Sequence, residues 1–151
     1  MRKTRPTPEE QLESLYQLAR SHDVGVYYYD LGDGRAVTVS DGDFAAIALN
    51  PNRLEPGEEL ECLCHELGHL ETGTPHPPDA DPTTILRCEY KCSYWVVRRL
   101  VPVDELIEAI RDGYREVWQL AEYFGVSAEC ILDAIKIYRN KGLLGREILQ
   151  R

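Results

Sequence analysis

Basic residues are in short supply in this chain. Seventeen Lys and Arg stand against 26 Asp and Glu, a formal net charge of -9, and such a surface repels phosphate backbones, which argues against nonspecific or direct nucleic-acid binding. Long apolar runs are missing too. The longest strongly apolar run, Phe44 to Leu49, is far shorter than the roughly 20 residues that a membrane-spanning helix needs. The opening MRKTRPTPEE lacks the apolar stretch of a secretory signal. The expectation is a soluble cytoplasmic protein with no membrane contact. Cysteine occurs in an odd number, five (Cys62, Cys64, Cys88, Cys92 and Cys130), and without an export signal this points to reduced thiols rather than a disulfide framework. There is no internal repeat and no low-complexity tract. What remains, 151 residues with 43% hydrophobic content, is enough for one ordinary domain with a sizeable core.

Several stretches read as local structure. Thr7-Pro8-Glu9-Glu10 has a cap residue, a proline at the first helical position and a carboxylate three after the cap, so a helix begins there. Its apolar residues Leu12, Leu15, Tyr16 and Ala19 fall at helical spacing. Val24 to Asp30, Ala36 to Val39 and Phe44 to Leu49 are short β-prone runs separated by turn-forming residues, which predicts a three-stranded antiparallel meander. A second helix is expected from about Pro56 to Thr72, ended by Gly73. The proline-rich run from Gly73 to Pro82 is a loop, and Asp81 caps a third helix that Pro102 closes.

The second helix carries His65-Glu66-Leu67-Gly68-His69. Residues four apart on an α-helix lie about one turn apart on one face, so two imidazoles can grip a single ion. Glu66 is rotated about 100° from His65 and lies beside such an ion, the place of a general base for an attacking water. A catalytic zinc site needs a third protein ligand and one open position. Glu89, on the next helix, is the candidate, because antiparallel packing across the proline-rich loop would bring it opposite the histidines. The plainer reading is a coincidental motif on an amphipathic helix, with the ring nitrogens satisfied by other partners.

At these residues the chain resembles the ImmA/IrrE-like metallopeptidases of bacteria and their mobile elements. The resemblance covers the strand Ala45 to Asn50, the HELGH helix and the segment Glu89 to Pro102. It implies a minimal zincin-like domain of gluzincin type in the α+β class, with zinc held by His65, His69 and Glu89, and Glu66 as the catalytic base. It further implies proteolysis of a helix-turn-helix repressor of a phage or mobile element. Cys92 stands where the family commonly has alanine, and Ser93 where an acidic or amide residue is common; a hydroxyl reaches less far than a carboxylate when orienting a ligand.

Cys62 and Cys92 fall on the ligand-bearing faces of their helices, which admits a thiolate ligand or a redox role, although a small core residue is the plainer reading. His22 and His76 read as solvated. Val117 to Tyr138 has a helix, a glycine turn, a serine cap and a second helix, a helix-turn-helix shape. The second of these helices carries Ala128, Glu129, Cys130 and Asp133 rather than the basic or amide side chains of a DNA reader. The expected organisation is a core over residues 1–103 and a helical C-terminal subdomain over 104–151 packed on it. The expected function is zinc-dependent endopeptidase cleavage of a protein held as an extended strand, with Phe44 to Leu49 expected as the sheet edge that receives it. A non-proteolytic zinc-binding regulator or partner-binding module of the same fold, and a DNA-binding factor, stay open as alternatives.

Overall fold

Thr7 starts the first helix as its sequence predicts. Its hydroxyl accepts from the Glu10 backbone and the Glu10 carboxylate accepts from the Thr7 backbone, both at 3.1 Å, which opens α1 (Pro8–Ser21). A computed structural model describes residues 4–41, 44–54, 58–73 and 79–145. After α1 come three strands, β1 (Val24–Tyr28), β2 (Ala36–Asp41) and β3 (Phe44–Leu49). Five further helices follow: α2 (Glu58–Glu71), α3 (Pro82–Leu100), α4 (Val103–Arg111), α5 (Val117–Phe124) and α6 (Ala128–Asn140). The fold is α+β, and none of the described helices is long and apolar enough to cross a membrane.

The sheet is not the predicted antiparallel meander. Its order is β1-β3-β2, with β1 parallel to β3 and β2 antiparallel to β3. Burial gives the reason: β3 carries Ile47 and Leu49, both fully buried, and the most apolar strand takes the centre, where both flanks are covered. The buried Asn50 side chain donates to the carbonyls of Gly32 and Gly34 at 3.2 and 2.8 Å, fixing the loop between β1 and β2 so that the two do not pair directly. As a consequence β3 has no free edge, and the edge strands are β1 and β2.

The phase of the β2 ladder follows from one bond. Asn50 donates its backbone N–H to the Arg35 carbonyl at 2.8 Å, one step beyond the Ala36–Leu49 pair. Hydrogen-bonded and non-bonded pairs alternate in an antiparallel ladder, so Val37 and Val39 bond towards β3. The peptide groups of Ala36, Thr38 and Ser40 therefore open at the outer edge.

Helices α2 and α3 pack against each other and α2 lies on the sheet. Gly73, at φ +64, follows α2, while the expected start at Pro56 and the centre of the proline-rich loop, residues 74–78, lie outside the described residues. Asp81 caps α3 by accepting from the Thr84 backbone at 2.9 Å. Gly125, at φ +68, turns the chain between α5 and α6, and Ser127 caps α6. Glu61 of α2 accepts from both the backbone and hydroxyl of Ser127, at 2.9 and 2.7 Å, tying that cap to the motif helix. One cluster of buried side chains runs from Leu15 through Ile47, Leu63 and Leu106 to Ile131 and Leu144. That cluster holds residues on both sides of position 103.

Candidate metal centre

Four residues apart on α2, His65 and His69 bring their Nε2 atoms to 3.2 Å of each other. Glu89, on α3, reaches the same point. Its carboxylate oxygens lie 3.5 Å from His65 Nε2 and 3.3 Å from His69 Nε2. The His69 side chain is only 10% exposed, whereas those of His65 and Glu89 are 40% and 39% exposed, so the cluster is anchored on one side and open on the other. Two ligands about 2.1 Å from a tetrahedral zinc ion stand about 3.4 Å apart. Separations of 3.2 to 3.5 Å among two imidazole nitrogens and a carboxylate therefore fit zinc, and this donor set is one that zinc takes when a fourth position is left for chemistry.

The close approach of α3 depends on a residue between the two histidines. A Cβ added to Gly68 would stand 2.9 Å from Cys92 Sγ and 3.2 Å from Trp95 Cε3. Glycine within a helix is unfavourable by about 1 kcal/mol relative to alanine, and here it lets the two ligand-bearing helices meet.

Cys92 also lies near the histidines. Ligand atoms of His65, His69 and Cys92 fall within 4.8 Å of one another, so a second donor set shares both imidazoles. The sulfur comes from the Nδ1 side of His65, at 3.8 Å, and donates its proton to the His65 carbonyl at 3.0 Å. Burial, with Glu89 and Glu66 adding to it, pushes the thiol up to about 12. Cys92 is fully buried and behaves as a small core residue that fills the space above Gly68. The His65, His69 and Glu89 set, whose atoms face one another on the open side, is the better cradle. Metal-bound histidines commonly hold a partner on their second ring nitrogen, and for His65 that neighbour is Cys92.

Glu66 faces the sheet. Its Oε2 accepts from the Thr38 hydroxyl of β2 at 2.5 Å. Thr38, Glu66, His65, His69 and Glu89 line one cavity of about 300 Å³ with Ala36 and Val37. A neighbouring cavity of about 340 Å³ shares Ala36, His65 and Glu66 and continues past Cys62, Ser93 and Cys130. Ser93 thus lies beside the histidine end of the cleft.

Among the other candidates, Cys64 and Cys130 are buried, and Cys62 and Cys88 partly so. His22 is not simply solvated: its Nε2 lies 2.7 Å from Glu71 Oε1, an ion-pair geometry joining the end of α1 to the end of α2. His76 lies outside the described residues. Thr38 was absent from the sequence-based candidates. The only local signal for it was its place in a β-prone run, and the face it presents is fixed by the sheet order.

Residues 19–136 match the model of a peptidase family, the IrrE N-terminal-like domain. The matched span runs from the end of α1 into α6 and takes in every residue of the cluster. The chain belongs to this ImmA/IrrE-like family, whose domain is of metallopeptidase type. No match was found among curated proteins or among solved structures.

Proposed function

We propose that this member of the IrrE N-terminal-like domain family is a zinc-dependent endopeptidase in which His65, His69 and Glu89 hold the metal and Glu66 is the catalytic base. The observation that carries this reading is the convergence of two Nε2 atoms and a carboxylate from separate helices within 3.5 Å, with Glu66 lining the same cavity. When bound, zinc supplies Lewis acidity at neutral pH, lowering the pKa of a water towards about 7 and polarising a peptide carbonyl. Glu66 takes the proton of the attacking water and hands it to the leaving amine as the C–N bond breaks.

The substrate is an extended protein segment lying along β2. Its backbone would bond to the outward peptide groups of Ala36, Thr38 and Ser40, which supplies affinity without a demand on sequence. Strand β2 replaces β3 in this role because β3 is flanked on both sides. The protein attacked is a transcriptional repressor of the helix-turn-helix type, as the family resemblance implies.

Elemental analysis and a cleavage assay test the reading together. One zinc per chain, with cleavage of a co-encoded repressor by the native protein and none by Glu66→Gln, is the expected result. Protein without stoichiometric zinc would end the peptidase reading. Full zinc with no cleavage of any repressor or unstructured protein would leave a binding module of the same fold.

A further inference from the structure

Thr38 stands on the edge strand, opposite Ile47 of β3. Its hydroxyl is on the helix-facing side of the sheet, 2.5 Å from Glu66 Oε2. A carboxylate only accepts, so the hydroxyl is the donor, and a bond to a charged acceptor is short and directional. Residues 38 and 66 are joined by no local segment; one belongs to the strand and the other to the metal helix.

We infer that Thr38 is the positioning residue for Glu66: it occupies one carboxylate oxygen, fixes the plane of the group, and leaves Oε1 to take the proton. The inference rests on the peptidase reading. Its basis is the hydrogen bond together with the shared cavity that also holds His65, His69 and Glu89. A carboxylate on a three-bond side chain samples several rotamers, and a misplacement of about 1 Å at a reacting group can lower a rate roughly 100-fold. The same residue opens its peptide N–H and C=O at the free edge, so a substrate strand bonded there would also steady the side chain that holds the base.

A purely structural tie between sheet and helix would give the same contact, and the variants are chosen to separate the two roles. Thr38→Val keeps the shape and removes the donor; Thr38→Ser keeps the donor. With full zinc and unchanged fold by circular dichroism, Thr38→Val is expected to lower kcat about 10- to 100-fold with little change in KM, and Thr38→Ser to recover most of it. Native kcat in Thr38→Val, equal loss in both variants, or a rise in KM alone would overturn the inference. A second readout needs no activity: the melting temperatures of Thr38→Val, Glu66→Ala and the double variant in zinc-free protein. The hydrogen bond predicts shifts that fall short of additivity by about 2–6 °C, and additive shifts would refute the contact itself. Coupled melting temperatures in the zinc-free proteins, together with a native protein that holds zinc but cleaves nothing, would overturn the peptidase reading and with it the positioning role, leaving Thr38 as a structural tie.

Discussion

Two glutamates seven residues apart on α2 face the sheet from the same side of the helix, and each accepts a hydroxyl from a strand. Glu59 receives both phenols, Tyr16 of α1 at 2.7 Å and Tyr28 of β1 through a very short bond, on the same oxygen. Glu66 receives one hydroxyl, from Thr38, on one oxygen. The phenols also touch each other at 3.2 Å. Around Glu59 the chain has built a closed polar knot linking three elements; around Glu66 it has built one tether beside two imidazoles and a cavity. Residue type, helix and acceptor chemistry are shared, so what sets the proposed base apart from the structural carboxylate is its place in a cavity lined by His65, His69 and Glu89.

Substituting each glutamate is the strongest way to break that comparison. Glu66→Gln is expected to remove about 10²- to 10⁴-fold of kcat, the range that general acid–base catalysis supplies, while zinc stays at one per chain. Glu59→Gln should leave kcat at the native level and lower stability by about 0.5–1.5 kcal/mol, the net worth of ordinary hydrogen bonds. Cleavage assays and urea titrations on the two proteins read the contrast directly, and equal loss of activity in both would erase it. Next in size, His65→Ala and Glu89→Ala should each bind zinc too weakly for stoichiometric retention after dialysis. Both should also lack the rise in melting temperature that zinc is expected to give the native chain, because only the folded state would offer the complete donor set.

How much of this was legible in advance depends on how local each feature is. The spacing of His65 and His69 is set by helix geometry alone, and the caps at Thr7, Asp81 and Ser127 by residues within three positions. Glu89 needed the further step of packing two consecutive helices, which the proline-rich connection and the family likeness both suggested. The sheet order was not legible: β3 is the most apolar of three short strands, but nothing local says that it lies between the other two, because pairing is a non-local choice. The misassigned edge follows from that one error, because Phe44 to Leu49 is a free edge only in a meander. Thr38 was invisible for the same reason: which face it presents, and to which helix, is known only once β3 is in the middle.

The metal helix and its neighbour offer a finer test. Gly68→Ala would drive a methyl group to 2.9 Å from Cys92 Sγ, and overpacking of this kind is unfavourable by about 1–3 kcal/mol, partly offset by the better helix propensity of alanine. The expected outcome is a net loss of stability and a weaker zinc affinity, because Glu89 moves away with α3. Adding Cys92→Ala should return part of both by vacating the space that the new methyl needs. Were the double variant as impaired as Gly68→Ala alone, the close approach of the helices would not be what Gly68 provides.

The smallest effect is a pH dependence that belongs to the phenols of the knot around Glu59 and to the thiols of the core. Burial, the Tyr28 hydrogen bond and Glu59 raise the Tyr16 phenol above its ordinary 10.0, and the bond to Glu59 raises Tyr28. Burial likewise raises the Cys64 thiol, and pushes Cys130 up to about 12 from an ordinary 9.0. In each case the folded chain holds its proton more tightly than the unfolded chain does. The unfolded chain therefore binds fewer protons above its own pKa, and unfolding becomes easier as pH rises. The stability these groups confer is complete below about pH 9 and declines from there towards pH 12, first through the thiols and then, above 10, through the phenols. Urea midpoints measured between pH 8 and 11 should fall with pH in the native protein, fall less steeply at the start in Cys130→Ala, and fall less steeply above pH 10 in Tyr28→Phe. Thr38→Val should keep the native slope throughout, because a threonine hydroxyl does not titrate in this range.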